Sequence, residues 1–380
     1  MQSDSRGSNL SAAELRRYSR HLSLAEIGAA GQQRLKAARV AIIGAGGIGS
    51  PAALYLAAAG AGTIGLVDFD IVDESNLQRQ VLFDTAALGA PKAEAGRARV
   101  AALNPEIRIV AHQLELCAAN VRQVLEDYEL VLDGSDRLGT RYLVNDACVL
   151  YGKPLVSAAI HRFEGQLMTF VPGRGPCYRC LFPEPAEGLV PNCADAGVLG
   201  VLPGVLGTLA ATEIIKLILG TGAPLLGRLL TYDALQMQFD EFRFARRAEC
   251  AVCGEHPSIT APADPPGFCT LEELQCVRYI SAAQLAQALE TAARPISLVD
   301  VREPAEFATG HLQHAINIPL GQLEHSAPLP RHQTVVFMCR SGVRSLKACA
   351  LARRAGLEEP LQLEGGLLAW KAAVEPSLPL

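Results

Sequence analysis

Short apolar runs alternate with helical stretches along most of this chain, the pattern of a parallel sheet covered on both faces. Residues 39–70, "RVAIIGAGGIGSPAALYLAAAGAGTIGLVDFD", read as strand, glycine turn, helix and strand, one βαβ unit. The alternation continues through "IRIVAHQLEL", "LVLDGSD", a helix over 138–151 and the strand "PLVSAAI". Ahead of the first strand, residues 11–36 read as helical and amphipathic, with Ser11 as a cap. The pattern predicts a doubly wound, Rossmann-like α/β domain over residues 1–255. Residues 256–276, which include "HPSITAPADPPGF", are rich in Pro, Ala and Ser and read as a linker. A smaller α/β pattern fills 277–380, with strands "ISLVDV" and "TVVFM" and a helix over 343–355.

Length agrees with two domains, because 380 residues exceed what one compact core usually holds. The formal charge of −5 comes with no long run of one sign, so neither a nucleic-acid groove nor a basic membrane patch is expected. The first residues lack the apolar core of a signal peptide, which points to the cytoplasm. Residues 196–212 are uncharged and almost long enough to span a membrane, yet Pro203 interrupts them and Glu213 and Lys216 follow at once. A buried loop and core helix is the expectation there. Eleven cysteines without an export signal favour metal or redox chemistry over disulfide staples. Cys117, Cys148 and Cys349 lie in apolar helical surroundings and read as core residues, while Cys269 and Cys276 receive no role.

Gly44-Ala-Gly-Gly-Ile-Gly49 matches G-x-G-x-x-G between a strand and a helix, where bare backbone can approach phosphates. Asp68 ends the next strand at a spacing suited to ribose hydroxyls. Alone, these features specify a nucleotide with NAD as the default. The polar segment that follows does not resemble a dehydrogenase: Asp68, Asp70, Asn76, Arg79 and Gln80 crowd together, Lys92 comes soon after, and Asp136 ends "LVLDGSD". Cations and an amide suit a triphosphate, and a carboxylate at a strand end suits Mg²⁺.

"RYSRHL", "GAGGIG", "LVDFD", "SNLQRQ", "PKAE", "NP", "PCYRC" and "CAVCGE" occur in the order seen in the MoeB/ThiF family, relatives of ubiquitin-activating enzymes, and the resemblance covers about residues 11–255. It implies ATP-dependent adenylation of the C-terminal glycine of a ubiquitin-like sulfur carrier protein ending in Gly-Gly. Carried over motif by motif, Gly47, Asp68, Asp70, Ser75, Asn76, Leu77, Gln78, Arg79 and Lys92 would bind ATP, and Asp136 would hold Mg²⁺. Arg20 would reach the phosphates of the neighbouring subunit in a homodimer. Arg137 follows Asp136 where the family usually has Asn, so its contact with the nucleotide is the one the pattern does not transfer.

Cys177/Cys180 and Cys250/Cys253 form two C-x-x-C knuckles about seventy residues apart. Four thiolates make a closed tetrahedral site characteristic of structural Zn²⁺, whereas a single pair could be redox-active.

In the C-terminal part, "LVDVREPAEFATGHLQHAINIPL", "CRSGVRS" and "LEGGLLAWK" resemble, in order, the motifs of a rhodanese domain, over about residues 279–371. The resemblance implies that Cys339 carries a persulfide, loaded by a donor such as a cysteine desulfurase or thiosulfate. Position between a strand and a helix agrees: loop N–H groups and the helix dipole favour an anion, with Arg340 and Arg344 adding positive charge. The spacing from Cys339 to Arg344 is C-x₄-R, one residue shorter than the C-x₅-R of phosphatase loops. His311 reads as a structural partner. Cys193, in "PNCADAGVLG", matches a cysteine of fused adenylyltransferase–rhodanese proteins that attacks the activated carrier or resolves an acyl disulfide; otherwise it is a bystander thiol. An NAD-dependent oxidoreductase and a non-catalytic carrier-binding scaffold stay open as alternatives, and the pathway served, whether molybdopterin, thiamine or another sulfur metabolite, is not legible.

Overall fold

The structure is a computed structural model that describes residues 10–184, 197–264, 277–291, 296–324 and 334–380. They belong to two compact units, Met1–Pro265 and Pro266–Leu380.

The first unit opens with three short helices, α1 (Ala12–Arg17), α2 (Ser19–Leu22) and α3 (Gly28–Ala37), where the sequence reads as one helical stretch. Ser11 does cap the first of them: its Oγ accepts from the Glu14 N–H, and the Glu14 carboxylate accepts from the Ser11 N–H. The interruptions fall at Tyr18 and before Gly28. Tyr18 turns its ring into the core, where its hydroxyl accepts from Asn104 Nδ2 at 2.8 Å, and Gly28 takes a left-handed φ of 53°.

Five strands then run parallel: β1 (Arg39–Ile43), β2 (Thr63–Val67), β3 (Arg108–His112), β4 (Leu130–Asp133) and β5 (Leu155–His161). Three antiparallel strands extend the sheet, β6 (Glu164–Phe170), β7 (Arg228–Asp233) and β8 (Gln238–Arg243), in the order β3-β2-β1-β4-β5-β6-β7-β8. Both faces of the parallel part are buried, and alternate residues of one strand serve opposite cores. Val40 and Ile42 pack with Ala53 and Leu56 of α4 (Gly49–Ala59), and Ala41 and Ile43 pack with Leu125 of α6 (Val121–Glu126) and Leu143 of α7 (Leu138–Leu150). Between α4 and α6 lies α5 (Lys92–Leu103). The strand order reverses between β1 and β4, the switch point at which open α/β sheets hold ligands.

Two further helices among the described residues of this unit are α8 (Tyr178–Leu181) and α9 (Leu202–Leu219). By length and composition α9 could cross a membrane, but half of it is buried within the unit, with Ile214 and Leu206 in the same core as β1. Residues 256–264 of the expected linker lie along this unit: the Ile259 N–H donates to Ala251 O at 2.8 Å, and Asp264 accepts from the Ala118 N–H at 2.6 Å.

The second unit is a parallel five-stranded sheet of β9 (Arg278–Ile280), β10 (Ile296–Asp300), β11 (Ile316–Asn317), β12 (Thr334–Met338) and β13 (Leu361–Leu363), ordered β11-β10-β12-β13-β9. Its described helices are α10 (Ala282–Thr291), α11 (Pro304–Thr309), α12 (Leu320–Glu324), α13 (Val343–Arg354) and α14 (Gly366–Ala373). Val335 and Phe337 of β12 face one core with Cys349, and Val336 and Met338 face another with Trp370. At the end of β10, Asp300 and Arg302 form a fully buried ion pair, Nη2 to Oδ2 at 2.7 Å, and Arg302 also donates to Gly310 O. Removing one partner strands the other charge, so Arg302→Met is expected to destabilise this unit by about 3–5 kcal/mol, seen as a lower urea midpoint. An unchanged midpoint would mean the pair contributes no net stability.

Candidate functional site

A cavity of about 470 Å³ opens at the carboxyl ends of β1, β2 and β4, lined by Gly44, Gly46 and Gly47 of the glycine turn among others. The turn depends on missing side chains. Gly44 has φ 84°, and a Cβ on Gly49 would fall 1.9 Å from the Gly44 carbonyl oxygen.

Seven of the candidate nucleotide residues line this one cavity: Gly47, Asp68, Asp70, Arg79, Lys92, Asp136 and Arg137. Asp68, at the end of β2, accepts from the Ala45 and Asp70 N–H groups, both at 2.9 Å. Burial pushes its carboxyl up, and the Lys92 charge and those N–H groups only partly pull it back. Lys92, the buried first residue of α5, holds Asp70 at 3.1 Å. Arg79 donates to Ser75 O at 3.0 Å, at the edge of the 3₁₀ turn Glu74–Asn76. Ser75, Asn76, Leu77 and Gln78 do not line the cavity; through Ser75 O they carry Arg79. Arg20 is exposed on α2 and is likewise absent from the lining.

The strand expected to end at Asp136 ends at Asp133. The reason is its pairing, since Asp133 is the last residue in register with both Ile43 of β1 and Ser157 of β5. Asp133 is fully buried and accepts from Ser135 Oγ at 2.6 Å, whereas Asp136 is exposed on the cavity wall. Arg141 stands behind that turn: its Nε lies 3.5 Å from Asp133 Oδ2, and its Nη2 donates to Ser135 O at 3.0 Å. Arg137 does not turn to a buried partner. It pairs with Glu115 and lies over the Phe69 ring, 4.5 Å from its centroid, and both partners line the cavity. Sequence reasoning missed Asp133, Arg141 and Tyr178; the signal available for the first two was the polar set "DGSDRLGTR" itself, and Tyr178 lies inside the first C-x-x-C pair.

The four cysteines of the two knuckles converge, with all sulfurs within 4.8 Å of one another and Cys177 Sγ 3.6 Å from Cys250 Sγ. A tetrahedron with metal–sulfur bonds of about 2.3 Å has edges of about 3.8 Å, so the cluster can hold a metal ion. Hydrogen bonding from Cys177 draws the Cys253 thiol down to about 5, and the same bond together with burial pushes Cys177 up. A divalent cation would stabilise all four sulfurs as thiolates. The Arg247 N–H donates to Cys180 Sγ at 3.4 Å.

In the second unit Cys339 follows β12 and is 1% exposed. The Gly342 N–H donates to its sulfur at 3.2 Å, so a loop N–H does face the sulfur. Gly342 takes φ 95° with Gln362 Nε2 2.8 Å from where a Cβ would stand. The expected contribution of Arg344 needs correction: both of its terminal nitrogens are held by Glu306 of α11, at 2.6 and 2.7 Å, which compensates its charge. Burial acts to raise the Glu306 carboxyl, but this pairing outweighs it and holds it low. Arg340 is exposed beside the loop. His311 stacks on Phe307 and meets Phe307 O through Nδ1, as a structural partner does. Cys148 and Cys349 are buried core residues, and Cys117 is half-buried. Cys193, Cys269 and Cys276 lie outside the described residues.

Residues 18–252 match the ThiF family model, and residues 281–373 match that of the rhodanese-like domain. A probable adenylyltransferase/sulfurtransferase of Mycobacterium tuberculosis, MoeZ, is 44% identical over 98% of this chain and 96% of that protein. The adenylyltransferase and sulfurtransferase MOCS3 of Aedes aegypti is 40% identical over 97% of this chain and 89% of that one. Among solved structures, E. coli MccB crystallised with ATP is similar at 27% identity and a TM-score of 0.55, over 62% of this chain and 74% of that one.

Proposed function

The chain belongs to the ThiF family with a rhodanese-like domain after it, and from this we propose that it activates and thiolates a ubiquitin-like sulfur carrier protein ending in Gly-Gly. It is an adenylyltransferase and a sulfurtransferase in one chain. The observation that carries the reading is the convergence of a glycine turn, Lys92, Arg79 and Asp136 in one cavity, in a chain that also presents Cys339 on a strand-to-helix loop. Residues 1–255 would adenylate, residues 277–380 would deliver sulfur, and 256–276 would join them.

In the first step the carrier's terminal carboxylate attacks the α-phosphorus of ATP, giving an acyl adenylate and pyrophosphate. Asp68 would bind the ribose, Arg79 and Lys92 the polyphosphate, and Asp136 Mg²⁺, which would neutralise developing negative charge. Lys92 would exchange its bond to Asp70 for phosphate oxygens. The exposed Arg20 fits a contribution to the neighbouring subunit of a homodimer. Zn²⁺ at the four cysteines would be structural. A cytoplasmic setting suits the reduced thiols.

In the second step a Cys339 persulfide, loaded from a desulfurase or thiosulfate, attacks the acyl carbon and displaces AMP. The carrier is then joined to Cys339 through an acyl disulfide. A second thiolate attacking the Cys339 sulfur releases the thiocarboxylate and leaves a protein disulfide. Cys193 is our candidate for that thiol, or for a thioester that the persulfide cleaves. Cys193→Ala is expected to adenylate normally but to make several-fold less thiocarboxylate without dithiothreitol, measured by intact-mass spectrometry of a single turnover. Wild-type yield without reductant would make it a bystander.

A further inference from the structure

Gln362 of β13, 2% exposed, lies under the Cys339 loop. Its Nε2 donates to Gly342 O at 3.0 Å and to Ser345 Oγ at 3.2 Å, which uses both amide hydrogens. Ser345 Oγ thus receives one hydrogen and has its own to place. Two acceptors are within reach, Gly342 O at 3.0 Å and Cys339 Sγ at 3.6 Å. The carbonyl already accepts from Gln362 and from the Leu346 N–H at 3.1 Å, filling its two lone pairs. Among the described residues the sulfur receives only the Gly342 N–H besides. A neutral thiol is a weak acceptor and an anionic sulfur a strong one.

We propose that Ser345 donates its hydroxyl hydrogen to the sulfur of Cys339 when that sulfur is charged, and that Gln362 is the positioning residue that aims it. This rests on the reading of Cys339 as the sulfur-carrying nucleophile. The hydroxyl turns from the crowded Gly342 carbonyl to the sulfur as charge appears, whether thiolate or persulfide. Among the described residues Gln362 Oε1 is buried without a hydrogen-bond partner, so the amide is held in place through its nitrogen alone. Both terminal nitrogens of the neighbouring Arg344 are engaged by Glu306.

The test uses the full-length protein with two probes. Iodoacetamide reports on the thiolate, which displaces iodide. Thiosulfate reports on sulfur transfer, in which the thiolate takes the outer sulfur and sulfite leaves. Ser345→Ala and Gln362→Met should each slow alkylation of Cys339 about ten- to a hundredfold and shorten the persulfide lifetime to a similar degree, as loss of about one hydrogen bond to a charged group requires. Ser345→Thr should restore both, and melting temperatures should stay close to wild type. Unchanged alkylation in Ser345→Ala, or equal losses in Ser345→Ala and Ser345→Thr, overturns the proposal. If Cys339 of the wild-type protein takes no sulfur from thiosulfate while Ser345→Ala still slows alkylation, the donor role stands and the sulfur-carrying reading falls.

Discussion

Asp136→Ala is expected to cut carrier-dependent ATP–pyrophosphate exchange by at least about a hundredfold, and Arg79→Ala by a comparable factor. Cys339→Ala should keep exchange within about twofold of wild type while abolishing thiocarboxylate formation. The asymmetry follows from where the charges sit. Asp136 and Arg79 line the cavity at the strand-order switch point, and adenylation needs no protein nucleophile, only positive charge and a metal where negative charge develops. Cys339 belongs to a separate compact unit and, on the proposed function, would attack only once the adenylate exists. Asp133 is the instructive control. It is buried and bound to Ser135 and Ser157, so Asp133→Asn should lose stability as well as exchange, whereas Asp136→Ala should lose exchange alone. Exchange and melting temperature measured on the same preparations separate the two. Equal loss of exchange in the Asp136, Arg79 and Cys339 variants would show that the two units do not divide the work in this way.

Local chemistry was readable from the chain wherever spacing alone decides it. The glycine turn, the C-x-x-C pairs and the strand-to-helix placement of Cys339 are short-range patterns, and each stands in the structure where its spacing implies. Long-range partners were not readable. Nothing near Arg344 announces Glu306, 38 positions earlier, and nothing near Tyr18 announces Asn104, 86 positions later. Of the two breaks in the helical stretch over 11–36, the one at Tyr18 goes with such a distant contact, and the one before α3 falls at Gly28 with its left-handed φ. Asp133 and Asp136 look equivalent in "LVLDGSD"; only the register with β1 and β5 ends the strand at the first of them. Ser345 and Gln362 escaped notice for the same reason, since a serine after a catalytic-looking loop and a glutamine on an edge of the pattern carry no meaning until β13 places them together.

Loss of metal from the four-cysteine cluster should lower stability strongly and reach the nucleotide cavity as well. The cluster joins the α8 knuckle to residues 250–253, so its ion would clamp chain segments more than seventy residues apart. Even a third of the roughly 10–16 kcal/mol that zinc contributes to small zinc peptides would lower the melting temperature by about 7–20 °C, at 2–4 °C per kcal/mol for a unit of this size. Tyr178, between the first two cysteines, carries the effect inward. Its N–H donates to Asn145 Oδ1 at 2.9 Å, and Arg179 beside it grips Asp146, so α7 is fastened to the knuckle. The Tyr178 ring lines the cavity with Arg141 6.0 Å from its centroid, and Arg141 in turn supports the Ser135 carbonyl next to Asp136. Cys250→Ser protein, or wild type treated with a strong chelator, should therefore bind ATP several-fold more weakly at a temperature where it is still folded. Tyr178→Leu should reproduce the weaker binding while keeping the bound metal, about one ion per chain for a four-thiolate site. Metal analysis, melting curves and ATP titration calorimetry on the same samples give the answer. Metal-free protein with unchanged melting would remove the cluster from the stability of this fold, and weakened melting with unchanged ATP affinity would confine its effect to the knuckles.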